Sequence, residues 1–225
     1  MKKLLIYSFL AVFLAFPVSA QTGTTTGNTL ETDRESVRSE IMEMRDDFKT
    51  RIDAERAELQ GKIQDKREAL RVQLQKVKDE RKREVVERID VRLDALNDRM
   101  LDHFSNVLDR LEDVLERIAS RADKAEGRGL DVNTTVRTAI TDALSSITSA
   151  RSAVQVQAGN TCIVTVTTEN NLRVDVGKAR KCLHDNLTVV REAVKAAKEA
   201  VRKAATTLAQ IPRVDEDSTS PSQEQ

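Results

Sequence analysis

Apolar residues recur every eleven positions along the first half of the chain. The row consists of Ile41, Ile52, Ile63, Leu74, Val85, Leu96, Val107 and Ile118. An eleven-residue repeat corresponds to about 3.67 residues per turn and is typical of a nearly straight coiled coil. No proline and only one glycine, Gly61, interrupt the segment before Gly127. The pattern predicts one very long, coiled-coil-type helix from Asp33 to Glu126, about 140 Å long if it is unbroken.

The apolar rows that flank this repeat change between residues 78 and 85. One flanking row is apolar before this point and two are apolar after it. A narrow stripe favours a two-stranded seam, whereas a broad stripe favours a bundle. We therefore expect residues 33–84 to form a projecting helical stalk, with Gly61 leaving open whether it is continuous or folds back. The candidate oligomer seam is Val37, Ile41, Phe48, Ile52, Leu59, Ile63, Leu70 and Leu74.

Two further amphipathic helices follow. The first runs from Asp131 or Asn133 to Gln157, and the second from Val174 to Gln210. The second has a heptad seam of Leu183, Leu187, Val190, Val194, Ala197, Val201, Ala204 and Leu208. Together with the second half of the long helix, they predict an all-α fold in which residues 85–211 form a three-helix bundle.

The segment between these two helices breaks the helical period. Residues 158–173 form the predicted insert, and the Thr- and Val-rich stretch at 161–176 fits either a short β-hairpin or an extended loop. Cys162 and Cys182 are the only cysteines. An even pair in an exported chain favours an intramolecular disulfide, with an intermolecular bond or free thiols as the alternatives. The bond would clamp the insert to the start of the last helix.

Both ends of the chain differ in composition from the helices. Residues 1–20 combine Lys2 and Lys3, an apolar run and a small-residue exit at Ala20, which is typical of a cleaved signal peptide. We therefore expect an extracytoplasmic protein, in the periplasm, at the cell surface or secreted, without a transmembrane segment after cleavage. Residues 21–32 predict a flexible leader, and residues 212–225 predict a disordered acidic tail.

Composition and charge argue against several function classes. Removal of Lys2 and Lys3 leaves 35 basic and 37 acidic residues, so bulk charge does not favour nucleic acid as a partner. Only two aromatic residues, Phe48 and Phe104, remain after cleavage, whereas enzymes and sugar-binding modules use many. No phosphate-binding loop or nucleophile motif is present, so we predict a protein that is not an enzyme and has no catalytic residue or cofactor.

Histidines and carboxylates do not form a recognisable metal site in the sequence. His103 lies beside Asp102, and His184 lies between Cys182 and Asp185. A metal site needs three or four converging ligands, and neither position offers them at helical spacing. We therefore predict no metal ligand in this chain.

Two clusters of like charge lie on the predicted helices. The acidic patch is Asp109, Glu112, Asp113 and Glu116, and the basic stripe on the last helix is Arg191, Lys195, Lys198 and Arg202. The basic stripe could dock an anionic partner, such as a wall polymer or lipid headgroups. The pattern favours the simpler interpretation, in which the two clusters serve intramolecular charge complementarity and solvation.

The stretches RLEDVLERIASRADKAEGRGLDV and VREAVKAAKEAVRKA carry a resemblance over residues 90–208. They resemble uncharacterised secreted coiled-coil and helical-bundle proteins of candidate-phylum bacteria. This resemblance implies a helical fold but assigns no site residue. The signal peptide followed by long charged helices is more distantly similar to the periplasmic chaperone with coiled-coil tentacles. The trimerising β-body of that family is not evident in this sequence.

Three functional hypotheses follow. The first is an extracytoplasmic structural or protein-interaction protein that forms a homo-oligomer through the stalk and binds another envelope protein. The second is a periplasmic holdase whose stalks enclose unfolded exported clients. The third is binding of the envelope or a wall polymer through the basic stripe.

Overall fold

The computed structural model describes residues 29–214, with side chains from residue 39 onward. The helices are α1 (Thr29–Leu74), α2 (Glu80–Gly127), α3 (Thr134–Ala158) and α4 (Leu172–Ala209), with one 3-10 turn at Glu169–Asn171. The predicted all-α class and the helical bundle are confirmed. The predicted signal peptide lies outside the described residues, as do most of the leader and tail. Of these, residues 29–32 begin α1 and residues 212–214 form a turn.

The chain forms two helices where one very long helix was predicted. Helix α1 ends at Leu74, and Asp79 caps the start of α2 by accepting a hydrogen bond from the Lys82 backbone N–H. Val77, between the two helices, is buried. Gly61 lies within α1 and is not the bend. The break needs neither glycine nor proline, because an N-cap side chain and one buried apolar residue stabilise it.

Helix α1 folds back and runs antiparallel along α2. Ion pairs mark the register: Arg67 binds Asp94 at 2.6 Å and Arg56 binds Asp102 at 2.5 Å. Helix α1 contacts α2 and α3, and α4 contacts the same two helices. Within the described residues, no Cα atom of α1 lies within 8 Å of a Cα atom of α4. Helices α2 and α3 therefore form a central pair, with α1 and α4 on opposite sides of it.

The stalk predicted for residues 33–84 does not project from the bundle. Of its predicted seam, Ile41, Phe48, Ile52, Leu59, Leu70 and Leu74 are buried and Ile63 is half-buried. Phe48, Ile52, Leu70 and Leu74 belong to one core cluster with residues of the other helices. The side chain of Val37 lies outside the described part. The apolar stripe of α1 is covered by its own chain, because folding back buries it without a second copy.

The eleven-residue row does not line a single face through both helices. Ile52 and Leu74 are buried in α1, whereas Val85 and Leu96 in α2 are 47% and 39% exposed. Farther along α2, Val107 is half-buried and Ile118 is buried, and the flanking row of Leu93, Phe104 and Leu115 is buried throughout. The bend changes which side of the helix faces the core, so the apolar row that is buried at the start of α2 differs from the row that is buried in α1.

The predicted bounds of the last two helices agree closely with the structure. Asn133 caps α3 by accepting a hydrogen bond from the Val136 backbone N–H at 3.2 Å, and the helix ends one residue beyond the predicted Gln157. Between α2 and α3, Gly129 adopts a positive φ of 77°, a conformation that glycine reaches without strain. In α4, all eight residues of the predicted heptad seam are buried.

Residues 159–168 form an extended loop, and no strand is present between residues 29 and 214. Of the two alternatives, the β-hairpin is therefore wrong for this segment. Its backbone N–H groups donate to side chains of the helices: Val164 to Asp90 at 3.0 Å, Val166 to Gln73 at 2.9 Å and Thr167 to Asp175 at 2.8 Å. Cys162 and Val164 are buried, so the period-two alternation packs against helices and not against a sheet.

The predicted disulfide is present. Cys162 and Cys182 are joined across a sequence separation of 20, with their Cα atoms 5.8 Å apart. The bond ties the extended loop to the first third of α4. Closing a loop of this length stabilises the fold by about 3 kcal/mol in the chain-entropy description.

Asp90 provides a test of how the loop is held. Burial raises the pKa of Asp90, although the Val164 N–H and Arg67 act in the opposite direction. A raised pKa in the folded state means that the contribution of Asp90 to stability is present below its unfolded value of about 3.9 and is lost as pH rises through the folded value. We therefore expect Asp90→Asn, which keeps an acceptor oxygen, to gain stability relative to wild type as pH rises from about 4 to neutrality.

Urea unfolding at a series of pH values measures this difference, with the exposed Asp65→Asn on α1 as the matched control. Asp90→Leu should lose about 1–3 kcal/mol at every pH, because the buried Val164 N–H then has no acceptor. If Asp90→Asn lost stability relative to wild type with rising pH, attraction to Arg67 would outweigh burial.

Candidate binding face on α4

Most carboxylates of the acidic patch form ion pairs within the molecule. The Glu112 side chain is completely buried, and Arg151 of α3 donates to its two oxygens from Nε at 2.6 Å and from Nη2 at 2.7 Å. Arg45 of α1 donates from Nε to Glu112 at 3.0 Å and from Nη2 to Asp113 at 2.9 Å. Nη2 of Arg151 also reaches Asp109 at 2.7 Å. Three helices therefore meet at one carboxylate.

The guanidinium of Arg151 makes a contact through its planar face as well as hydrogen bonds through its N–H groups. Its central carbon lies 4.4 Å from the centroid of the Phe48 ring, within the range of a cation–π contact. Burial alone would lower the pKa of Arg151, but hydrogen bonds from Arg151 to Glu112 and Asp109 raise it overall. The cation is thus retained at every physiological pH.

This network corrects one part of the charge interpretation. Asp109, Glu112 and Asp113 of the acidic patch do serve intramolecular complementarity, but they pair with Arg45 on α1 and Arg151 on α3 instead of the basic stripe on α4. Sequence reasoning missed these arginines. The sequence contains a signal for Arg45, because Arg45, Arg56 and Arg67 recur at the same eleven-residue interval as the apolar row. All three pair with carboxylates of α2.

The basic stripe lies on the outer surface of α4. Arg191, Lys195, Lys198 and Arg202 are all exposed. At about 100° per residue, Arg180 falls on the same arc of the helix, so the cationic face extends for about 33 Å. Two of its members have partners on the same helix: Lys195 lies 3.6 Å from Glu192, and Arg202 lies 2.6 Å from Glu199. Such exposed pairs contribute little and leave the cations accessible.

An apolar groove of about 460 Å³ opens beside this stripe, between α2 and α4. Its floor consists of Ile89, Leu93, Leu96, Met100, Leu183 and Leu187. Arg92, Arg180, His184 and Arg191 form its rim. Arg191 belongs both to the rim and to the basic stripe, so the groove and the stripe form one continuous surface.

The disulfide fixes the α4 wall of the groove. Cys182 directly precedes Leu183 on the groove floor, and its bond to Cys162 anchors this turn of α4 to the extended loop. Nδ2 of Asn186 lies 3.5 Å from the sulfur of Cys162. The heptad seam then holds the inner side of α4 against α2 and α3, which leaves the cationic side outermost.

The two histidines lie on different helices, α2 and α4. His103 is on α2 with its ring centroid 5.8 Å from that of Phe104, and His184 is on the groove rim. Among the described residues, no group of three or more His, Cys, Asp or Glu side chains is placed to hold a metal ion. No helix in this part of the chain combines the length and apolar character needed to span a membrane.

No protein-family model, curated protein or solved structure matches this chain. The resemblance to secreted helical proteins of candidate-phylum bacteria therefore stays a prediction.

The buried carboxylate at the junction of three helices should dominate local stability. We expect Glu112→Leu to destabilise the fold by about 3–5 kcal/mol, because Arg151 is then buried without its main partner. The double variant Glu112→Leu/Arg151→Met should lose less than Glu112→Leu alone, since apolar residues of similar size replace the pair.

Urea unfolding of the two single variants and the double variant gives the coupling free energy. Asp47→Ala is the control, because it removes an exposed pair with Arg51 and should change stability by less than about 0.5 kcal/mol. Additive losses in the double variant would contradict the coupling of Glu112 and Arg151.

Proposed function

We propose that this protein is an extracytoplasmic, non-catalytic binding protein that docks on anionic lipid of the cell envelope through the outer face of α4. The observation that carries the proposal is the division of charge across the bundle. Arginines on the α1 side pair with carboxylates of α2, whereas the basic stripe on α4 is exposed and, among the described residues, forms no ion pair with a carboxylate of another helix. An exposed linear array of cations is a surface for an anionic partner.

Two features support an extracytoplasmic site of action. The disulfide between Cys162 and Cys182 would persist in an oxidising compartment. The first twenty residues have the three-part organisation of a secretory signal.

The apolar groove favours lipid over a wall polymer. Four cations near an anionic membrane surface contribute about 1 kcal/mol each. A total of about 4 kcal/mol corresponds to a millimolar dissociation constant, so charge alone gives weak binding. The groove beside Arg191 offers apolar contacts that a lipid can use, whereas a sugar-phosphate polymer has no apolar chain to place there.

The fold-back of α1 weakens the other two hypotheses in their original form. A holdase with enclosing stalks requires long helices that extend away from the body, and α1 instead packs on α2 and α3. Self-association through the seam requires a free apolar stripe, and Ile41, Phe48 and Ile52 are buried within the chain.

Charge reversal in the stripe tests the proposal. We expect Lys195→Glu/Lys198→Glu to weaken binding to vesicles of phosphatidylglycerol and phosphatidylcholine by at least tenfold, because two attractive charges become repulsive. Co-sedimentation at rising salt measures the affinity, and wild-type binding should fall as salt screens the charges.

The matched control is Lys49→Glu/Arg71→Glu, which makes the same charge change at exposed positions of α1, on the opposite side of the bundle. Equal loss in the two variants would mean that net charge and not the α4 face controls binding. No binding of the wild-type protein to anionic vesicles would refute the proposal.

A second candidate function, an elongated structural dimer, is favoured by the residues at the bend. Gln75, Lys76, Val77, Lys78 and Asp79 contain no helix breaker, so they are also compatible with a continuous helix. If the bend straightened, α1 and α2 would form one helix of about 150 Å. Two copies could then exchange α1 and regain every α1 contact, as in domain swapping.

Few contacts hold the bend closed. Glu169 accepts hydrogen bonds from the Lys78 backbone N–H and from the Lys82 ammonium, both at 3.0 Å. The Asp79 cap adds about 1 kcal/mol. These are the interactions that the exchange would sacrifice, together with the burial of Val77.

We expect Asp79→Ala/Glu169→Ala to raise the dimer fraction at least fivefold at a fixed concentration, because both side chains that stabilise the bend are removed. Glu80→Pro should keep the chain monomeric. Proline is well tolerated at the first position of a helix, and the extended backbone of Asp79 suits a following proline. Proline at this position would interrupt a continuous helix. Size-exclusion chromatography with light scattering measures the mass, and a monomer in both variants at high concentration would exclude the exchange.

A further inference from the structure

We propose that the groove between α2 and α4 binds a single-chain anionic amphiphile, an unbranched alkyl chain that ends in a carboxylate or a phosphate. This inference rests on the proposed function and names the ligand chemistry of the same face. The alkyl chain would lie along the apolar floor and the anionic head would meet the arginines of the rim.

The floor of the groove is apolar and partly open. Leu93, Leu183 and Leu187 form its base and are buried, whereas Leu96 is 39% exposed and Ile89 and Met100 are half-buried. These residues come from two helices that pack directly on each other. An alkyl chain gains binding free energy for each methylene that it buries on such a surface. The groove therefore offers real binding free energy to a chain that covers it.

The rim is cationic and has few competing carboxylates. Within the described part of the chain, no ion pair joins Arg92, Arg180 or Arg191 to an acidic side chain, and Asp185, near the rim, pairs with Lys181 at 2.7 Å. Glu87 lies with Arg88 in the shallow cleft on the far side of Arg92. Arginine presents several N–H donors to a carboxylate or phosphate and forms two hydrogen bonds to it at once. Charge complementarity thus selects an anionic head.

The dimensions favour a thin chain over a peptide helix. The volume of about 460 Å³ is within the range of small-ligand sites, about 300–1,000 Å³. From Ile89 to Met100 the floor is about 16 Å long, which is comparable to an extended dodecyl chain. A peptide helix is about 10 Å wide, and it would rest on the arginines without reaching Leu93 and Leu183 between the two packed helices.

Isothermal titration of the mature, oxidised protein with dodecanoate and with dodecyl phosphate, each below its critical micelle concentration, tests the proposal. Both should bind with one site per chain. Dodecanol and inorganic phosphate should bind at least tenfold more weakly, because the first lacks the charge and the second lacks the chain. Equal binding of dodecanol would overturn anion recognition, and binding of inorganic phosphate alone would mean a simple anion site.

Two variants locate the site. Leu96→Glu should weaken both amphiphiles at least tenfold, because it places a negative charge on the floor. Its matched control is Val114→Glu, which makes the same change at an apolar position of α2 that is 40% exposed and outside the groove. Arg180→Gln/Arg191→Gln should weaken the amphiphiles tenfold and leave dodecanol unchanged. Equal loss in Val114→Glu, or no loss in Leu96→Glu at an unchanged melting temperature, would overturn the proposal.

Failure of this inference is distinguishable from failure of the proposed function. Lys195→Glu/Lys198→Glu should lose vesicle binding and keep dodecanoate binding, whereas Leu96→Glu should keep at least the salt-dependent part of vesicle binding. Vesicle binding without any binding of monomeric amphiphile would leave the α4 face as a membrane surface and remove the groove as a ligand site. An acidic amphipathic peptide that bound where dodecanoate did not would replace the amphiphile with a protein partner.

Discussion

Glu112 is a carboxylate with no exposed side-chain surface, and the arrangement of three helices depends on how its charge is satisfied. Arg151 reaches it from α3 and Arg45 from α1, while Phe48 covers the face of Arg151. A buried charge without partners costs several kcal/mol, so α1, α2 and α3 are constrained to one mutual register. A mis-registered α1 would leave Glu112 with one guanidinium instead of two.

This constraint also decides which surface of the bundle remains outside. Because α1 occupies the open side of the α2–α3 pair, its ion pairs neutralise that side from Arg67 to Arg45. Helix α4 occupies the opposite side, and no further helix of the described chain covers its outer face. The accessible cations and the apolar groove therefore lie on the same side of the bundle, because α1 packs on the opposite side.

The extended loop acts as a second constraint, across the ends of the helices. Its backbone donors bind Gln73 at the end of α1, Asp90 near the start of α2 and Asp175 in α4. The disulfide adds a covalent bond to α4 within reach of the groove. Residues 159–168 thus connect elements that are distant in sequence, which a hairpin paired with itself could not do.

Local sequence determined the elements that depend on neighbouring residues. The helical class, the Asn133 cap, the ends near Gly127 and Gln157, the heptad seam of α4 and the pairing of Cys162 with Cys182 all follow from spacing, capping and composition. The bend after Leu74 depends on the tertiary structure as well as on the local Asp79 cap, because Val77 is buried where α1 folds back along α2. The tertiary structure also decided which charges remain accessible. Periodicity identifies the apolar side of a helix, but whether another copy, a ligand or the same chain covers that side depends on contacts between residues that are far apart in sequence.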